Sequence, residues 1–391
     1  MKEIDNLPDF ENWLNKQQYI PAAVQELNLT DYSSKIRKLE FKGSLFLGCK
    51  LDNETSGHIT STGGIVIPNL NDLEYKVHKS KLYNTKDLFE GFDINNIESY
   101  KNTKDYKIYK EYVENGMENP PSIRVSLTRR LHDHSITDAL YELIEGRKVV
   151  AIMGGHSMLR QDKFYLKVAK ISRILTQKGF LMVSGGGPGA MEATHIGAYF
   201  AARPESKLIE AINKIKIRPK DAIPNKEYLD KDWLHRAFRI MKEYSIPNDK
   251  VSKCMSIGIP TWLYGHEPPT PFATHIAKYF ANSVREDGLV TIAKHGIIFA
   301  PGSAGTTQEI FQDATQNHYA PYNTQKVKKI VSPMILFGYE RWTKERPVWD
   351  FLKKVSKDRP YGELLCLSEN EDEIIKSILD YKPEDYSYPK N

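Results

Sequence analysis

Three cysteines, Cys49, Cys254 and Cys366, are all that the 391 residues contain, and none forms a CxxC pair. A disulfide framework and a cysteine-built zinc centre are therefore not expected, whereas reduced thiols in a cytoplasmic protein are. No apolar run reaches the roughly 20 residues that a membrane helix needs. The opening MKEIDNLPDFENWLNK lacks the apolar stretch of a secretory signal. Neither charge sign dominates, since 55 Lys and Arg face 50 Asp and Glu for a net charge of +5. That is a mildly basic surface rather than a nucleic-acid stripe. Internal repeats and low-complexity tracts are absent too. The expected partner is thus a small molecule, with no nucleic acid and no membrane.

Two textures divide what is there. Residues 1–145 are polar and rich in Lys, Asn and Tyr. Within them SLFLGCKL (44–51) and GGIVIPNL (63–70) read as strands around a turn-rich TSGHITST, and DYKIYKEYVEN (105–115) reads as a short helix. From 146 to 391 continuous apolar strands alternate with amphipathic helices. The strands are predicted at 147–155, 180–187, 254–263, 295–303, 328–338 and 364–370. The helices between and after them are predicted at 163–179, 189–201, 274–289, 306–317, 347–357 and 371–381. This alternation implies parallel βαβ units, and continuous apolar strands imply helices on both faces. The predicted architecture is α/β: a Rossmann-like doubly wound parallel sheet with an N-terminal α+β extension. A charged insertion at about 203–250, with a helix at 232–244, interrupts the sheet domain.

Two glycine-rich turns follow strands and open helices: Gly185-Gly186-Gly187-Pro188-Gly189 and Gly302-Ser303-Ala304-Gly305-Thr306. Glycine lets the backbone approach an anion closely, and a helix start offers free N–H groups and the positive dipole end. Thr306 and Thr307 add hydroxyls. Two such turns in one sheet point to a phosphate-bearing ligand at the strand ends. Gly155, His156 and Ser157 end the first strand and are candidates for ribose or base contact; Met191 and Glu192 open the second helix and are candidates for the same surface. The first turn only approximates G-x-G-x-x-G, and no acidic residue for a ribose stands about 20 residues on, so an NAD-dependent oxidoreductase fits poorly.

Other motifs point less far. His132-Asp133-His134 lacks a third ligand and an HExxH frame, so no metal is expected. Arg129-Arg130 could reach an anion. Val77-His78-Lys79 is a candidate pyridoxal-phosphate lysine segment only in isolation; the surrounding pattern does not suit that cofactor, and none is expected.

SGGGPGAMEATHIGA (184–198) and PGSAGTTQE (301–309) resemble the LOG family, often labelled lysine decarboxylases, and within it the larger bacterial nucleotide 5′-monophosphate nucleosidases. The second stretch is similar to the family's P-G-G-x-G-T-x-x-E motif with Ser303 at the second glycine; KKIVSPMILFGYERW (328–342) also resembles a family strand. The resemblance covers about 147–381. It implies a phosphoribohydrolase, which cleaves the N-glycosidic bond of a nucleoside 5′-monophosphate into free base and ribose 5-phosphate. It further implies a homodimer or higher homo-oligomer and a catalytic glutamate at Glu309. The family's M-H-x-R-K motif is absent; the nearest arginine, Arg285 in NSVREDG, is taken as its counterpart. A carboxylate near C1′ could stabilise the developing ribose cation and orient water. Glu309 also fits a plainer role as capping-box partner of Thr306. The alternative function is a non-catalytic nucleotide-binding or sensing protein.

Overall fold

The computed structural model describes residues 1–16, 20–217, 223, 226–230, 232–324 and 328–389. Parts of the charged insertion therefore lie outside the described residues. The chain divides into two compact units, Met1–Leu82 with Lys107–Leu143, and Tyr83–Tyr106 with Ile144–Asn391.

The first unit is itself built on a parallel sheet. Strands β1 (Lys2–Ile4), β2 (Ala22–Gln25), β3 (Leu45–Leu47) and β4 (Ile65–Ile67) pair in that order. Phe10, Trp13, Phe41 and Phe46 fill the core beside it. The TSGHITST segment, expected as turns, lies in a helix, Asn53–Ser61. The reason is Asp52, whose side chain accepts from Thr55 N at 2.8 Å and caps the helix start. A 22-residue helix, Ile123–Ile144, was not foreseen. It buries Thr128, Arg129, His132, Asp133 and Ser135 along with its apolar residues, which hides the usual apolar stripe. Arg129 donates to the carbonyls of Met117 at 2.6 Å and Asn115 at 3.2 Å and stacks 4.6 Å from the Tyr112 ring. It is tied to the end of helix Lys104–Glu114 rather than free to meet an anion. His132 is buried with Nδ1 3.1 Å from Asp133 Oδ1, and His78 Nε2 lies 2.7 Å from Gln25 Oε1.

The second unit carries the doubly wound sheet. Its strands are β5 (Lys148–Met153), β6 (Phe180–Ser184), β7 (Ser256–Gly258), β8 (His275–Ile276), β9 (Ile297–Phe299), β11 (Met334–Phe337) and β12 (Leu365–Ser368). The order is β12-β11-β9-β5-β6-β7-β8, parallel throughout. A short β10 (Lys329–Ile330) pairs antiparallel with β13 (Ser387–Tyr388) outside that sheet. The central strands are apolar without alternation, Val150, Ala151, Ile152 and Met182 being fully buried, because helices cover both faces. The chain runs outward from β5 to β8, then returns to β9 and runs out the other way. The switch point is therefore between β5 and β9, where Ala151 pairs with Ile297.

Three expectations are corrected here. The helix foreseen at 274–289 is instead an edge strand, β8, followed by a helix only from Asn282 to Ile292. Lys278 is buried in the link, its Nζ 2.6 Å from Asp105 Oδ1, while Tyr100 OH donates to Asp105 Oδ2 at 2.8 Å. Tyr83–Tyr106, expected within the N-terminal extension, groups with the sheet unit, and Tyr83 bridges Ile276 of β8. The strand foreseen at 328–338 is broken at Pro333, which has no N–H to donate. Ser332 N binds Asn317 Oδ1 at 2.9 Å there instead. No helix among the described residues is long and apolar enough to cross a membrane.

Candidate functional site

A cleft of about 270 Å³ opens at the switch point, above the carboxyl ends of β5, β6 and β9. Each strand contributes its glycine turn. Gly155 and His156 come from the first, Gly185 from the second, and Ser303, Gly305 and Thr306 from the third. Met191, Arg285 and Glu309 complete the set of foreseen residues that line it.

The turns are fitted to one another by backbone contacts. Gly155 N donates to Pro301 O at 3.1 Å, and Gly155 O accepts from Ala190 N at 3.2 Å. The three turns thus form one platform. Gly189 has φ +70°, and a Cβ there would fall 2.8 Å from His156 O, so only glycine suits the position. Gly302 would place a Cβ on the side chain of Thr306, and its carbonyl accepts from Arg341 Nη2. The helix Ala304–Tyr319 begins directly behind, and its first amides have no intrahelical acceptor. Ala304 is therefore the helix start itself. Thr307 lies outside the cleft lining: its N and Oγ1 both donate to Ser303 O, at 3.1 and 3.0 Å.

Beneath the second turn sits a buried polar clamp. His195 Nε2 lies 2.7 Å from Ser184 Oγ, and its Nδ1 lies 2.9 Å from Ser256 Oγ. Ser184 Oγ in turn accepts from Gly186 N at 3.1 Å, while Gly186 O accepts from Thr270 N at 2.8 Å. Gly186 is structural support, not lining. Burial pushes the His195 imidazole down to about 3, so it is neutral across the working range. Gly187 stands farther along, where a Cβ would be 3.7 Å from Glu267 Oε2. Ser157 Oγ lies behind Gly155, 3.3 Å from the position of a Cβ on that glycine.

Glu192 does not reach the cleft. Its carboxylate is fully buried and accepts from Arg160 Nε at 2.8 Å, Arg160 Nη2 at 2.6 Å and Tyr165 OH at 2.8 Å. Arg160 stacks 4.5 Å from the Trp233 ring and donates to Trp233 O at 3.0 Å. Expected at the ribose or base, Glu192 instead fastens the core to the helix Trp233–Glu243 of the insertion.

Glu309 sits one helical turn past Thr306 and faces the cleft. Burial raises its carboxyl to about 7, opposed by the nearby Arg285 cation and reinforced by the Glu286 charge. Arg285 lies on helix Asn282–Ile292, its Nη2 3.7 Å from where a Cβ on Gly185 would be. Its Nε is buried and makes no hydrogen bond among the described residues. A cation with unused donors beside glycine turns is suited to an anionic ligand.

Six lining residues were not foreseen as part of the site: Met153, Gly154, Tyr264, Glu267, Glu286 and Leu289. Glu286 was within reach of sequence reasoning, being next to Arg285. Glu267 and Tyr264 lie on the link after β7 and arrive only through the tertiary fold. Glu267 Oε1 lies 3.9 Å from His156 Nδ1. Among the described residues the one set of three carboxylates close enough to hold a metal ion is Glu3, Asp138 and Glu142, all exposed and in the other unit.

No family model matches the chain, and no curated protein matches it by sequence. Among solved structures it is similar to the molybdenum cofactor binding protein from the phototrophic bacterium Rippkaea orientalis, at 14% identity and TM-score 0.35, over 60% of this chain and 98% of that one. It is also similar to the molybdenum cofactor carrier protein from Chlamydomonas reinhardtii, at 11% identity and TM-score 0.36, over 60% of this chain and 99% of that one. A second structure of that carrier protein aligns at 12% identity and TM-score 0.35, over 60% and 98%.

Proposed function

We propose that this protein hydrolyses the N-glycosidic bond of nucleoside 5′-monophosphates, releasing free base and ribose 5-phosphate. The observation that carries the reading is the meeting, in one cleft, of the Ser303–Thr306 helix start with Glu309 and Arg285. The helix start and the unused Arg285 donors would hold the phosphate, fixing the ribose as a positional anchor. Glu309 would then lie within about one sugar of that anchor, as glycoside chemistry requires of a carboxyl group. The resemblance of 184–198 and 301–309 to LOG proteins supports the same reaction.

The test is incubation with a panel of purine and pyrimidine 5′-monophosphates, with free base followed by chromatography. Glu309→Ala should abolish release while nucleotide still raises the melting temperature. If folded protein is stabilised by nucleotide yet releases no base from any substrate, the non-catalytic binding reading replaces this one. A homo-oligomer belongs to the same proposal. Phe311 and Phe351 meet edge to face on the surface with ring centroids 5.6 Å apart, and Tyr319 and Tyr322, at and just past the end of the Phe311 helix, are exposed too. An exposed aromatic patch suits a second copy of the chain; a monomeric mass by sedimentation would refute it.

A further inference from the structure

Glu286 is an acidic residue that the reading above leaves without a task. It lines the cleft beside Glu309 and is held from both sides: Oε1 accepts from Asn282 Nδ2 at 2.8 Å, and Oε2 accepts from Gln308 Nε2 at 3.2 Å. Gln308 immediately precedes Glu309, so one side chain of the catalytic helix orients the carboxylate of the neighbouring helix. Two carboxyl groups in one cleft take different roles when their surroundings separate them. Glu286 has two amide donors fixed on it. Glu309 appears among no hydrogen bonds of the described residues and lies where burial favours its neutral form.

Resting on the phosphoribohydrolase reading, we propose that Glu286 is a second catalytic carboxylate, the anion that steadies the ribose cation, and that Glu309 acts as the acid on the leaving base. The C1′–N bond breaks and its electron pair stays on the base nitrogen. That nitrogen takes the Glu309 proton. Glu286, with the phosphate anchored at a fixed distance, faces the cationic C1′–O4′ unit. Water then adds to C1′ and gives its proton to the Glu309 carboxylate, restoring the starting state. Nucleotide and water are consumed; base and ribose 5-phosphate leave, and no other reactant is required.

Glu309 shares the cleft with charged and polar groups from each element around it. They are Arg285 and Glu286 from helix Asn282–Ile292, His156 from the turn after β5, Glu267 from the link after β7, and Thr306 from its own helix. Arg285 lowers and Glu286 raises it, with burial the largest influence. Removing the Glu286 charge therefore lowers the pH at which Glu309 loses its proton.

The experiment compares wild type, Glu309→Gln and Glu286→Gln on two substrates: a nucleoside 5′-monophosphate and 4-nitrophenyl ribofuranoside 5-phosphate. Nitrophenolate departs without a proton. Glu309→Gln should lose about 10²–10⁴-fold in kcat on the nucleotide, the usual contribution of a general acid, and recover most of it on the nitrophenyl substrate. Glu286→Gln should lose at least about tenfold on both, and the alkaline limb of its nucleotide pH profile should move to lower pH. Equal losses for both variants on both substrates, or an unmoved alkaline limb, would overturn the division of roles while leaving the hydrolase reading intact. Wild type inert on both substrates would overturn the hydrolase reading and this proposal with it.

Discussion

Replacing Glu192 by alanine should destabilise the fold at its centre rather than alter the cleft. The Glu192 carboxylate receives two N–H bonds from Arg160 and one O–H bond from Tyr165, and both charged side chains are fully buried. After the substitution Arg160 keeps hydrogen bonds only to backbone carbonyls, Trp233 O at 3.0 Å and Ile215 O at 3.4 Å, with the Trp233 ring 4.5 Å away and the more distant Glu227 charge as its remaining company. A guanidinium cannot shed its charge as a lysine can. Breaking one side of a buried pair in this way costs about 3–5 kcal/mol, because the remaining charge stays desolvated. Against a total stability of about 5–15 kcal/mol that is a large share. At about 2–4 °C per kcal/mol for a domain of this size, the melting temperature should drop by about 6–20 °C. Circular dichroism melts of wild type and Glu192→Ala at pH 7.5 measure it directly. The double variant Arg160→Met with Glu192→Leu removes both charges, so it should recover much of the loss. A drop of less than about 3 °C in the single variant, or strict additivity in the double, would refute the assignment of Glu192 to the core. Reduced turnover at unchanged stability would return it to the cleft.

Arg285→Ala should weaken binding of nucleoside monophosphate about 10–100-fold by calorimetry, the value of a charge-assisted contact of about 1.5–3 kcal/mol; unchanged affinity would remove Arg285 from the ligand's surroundings. Gly189→Ala must place a Cβ 2.8 Å from His156 O at φ +70°, and should lower both melting temperature and nucleotide affinity, since it pushes apart the turns after β5 and β6. Wild-type affinity in that variant would contradict the shared platform. Asp313 is buried with its carboxyl pushed up to about 7 by desolvation, against an ordinary 3.8. Its folded form holds a proton that the unfolded chain releases near pH 4, so its stabilisation is complete below about pH 4 and fades as pH rises through about 7. Asp313→Asn should therefore be more resistant to urea than wild type at pH 8 and lose that advantage at pH 5; identical midpoints at both values would show that Asp313 is not neutral in the fold.

The sheet was legible because its strands are short apolar blocks that stop at glycine, as in VVAIMGG and FLMVSGGG. What escaped was set by distant partners. The link after β8 looks helical in periodicity, yet Lys278 is drawn inward by Asp105, which lies far away in sequence. The helix Ile123–Ile144 buries Arg129 and His132 through specific polar contacts, so hydropathy could not mark its inner face. In the site, the glycine turns were visible because glycine and helix starts are local signals. Glu192 was misplaced because its partner, Arg160, arrives from the loop after β5, and a buried ion pair leaves no mark in the spacing of either residue. Glu267 and Tyr264 reach the cleft by a path that only the completed fold defines.

The switch point has a consequence for how the molecule comes into being. Ala151 of β5 pairs with Ile297 of β9, so one wall of the cleft waits for chain made long after the other. Pairings this remote in sequence form late, since loop closure must precede any gain. Until then β5 presents an open inner edge, a hazard for association with other chains. On the proposed function, a nucleotide that bridges the Gly185 and Ser303 turns would bind only after this edge closes. By mass action such a ligand would draw the chain toward the joined state. The ligand would thus act as an assembly factor for its own binding site, and cellular nucleotide levels would bear on the yield of folded protein as well as on its turnover.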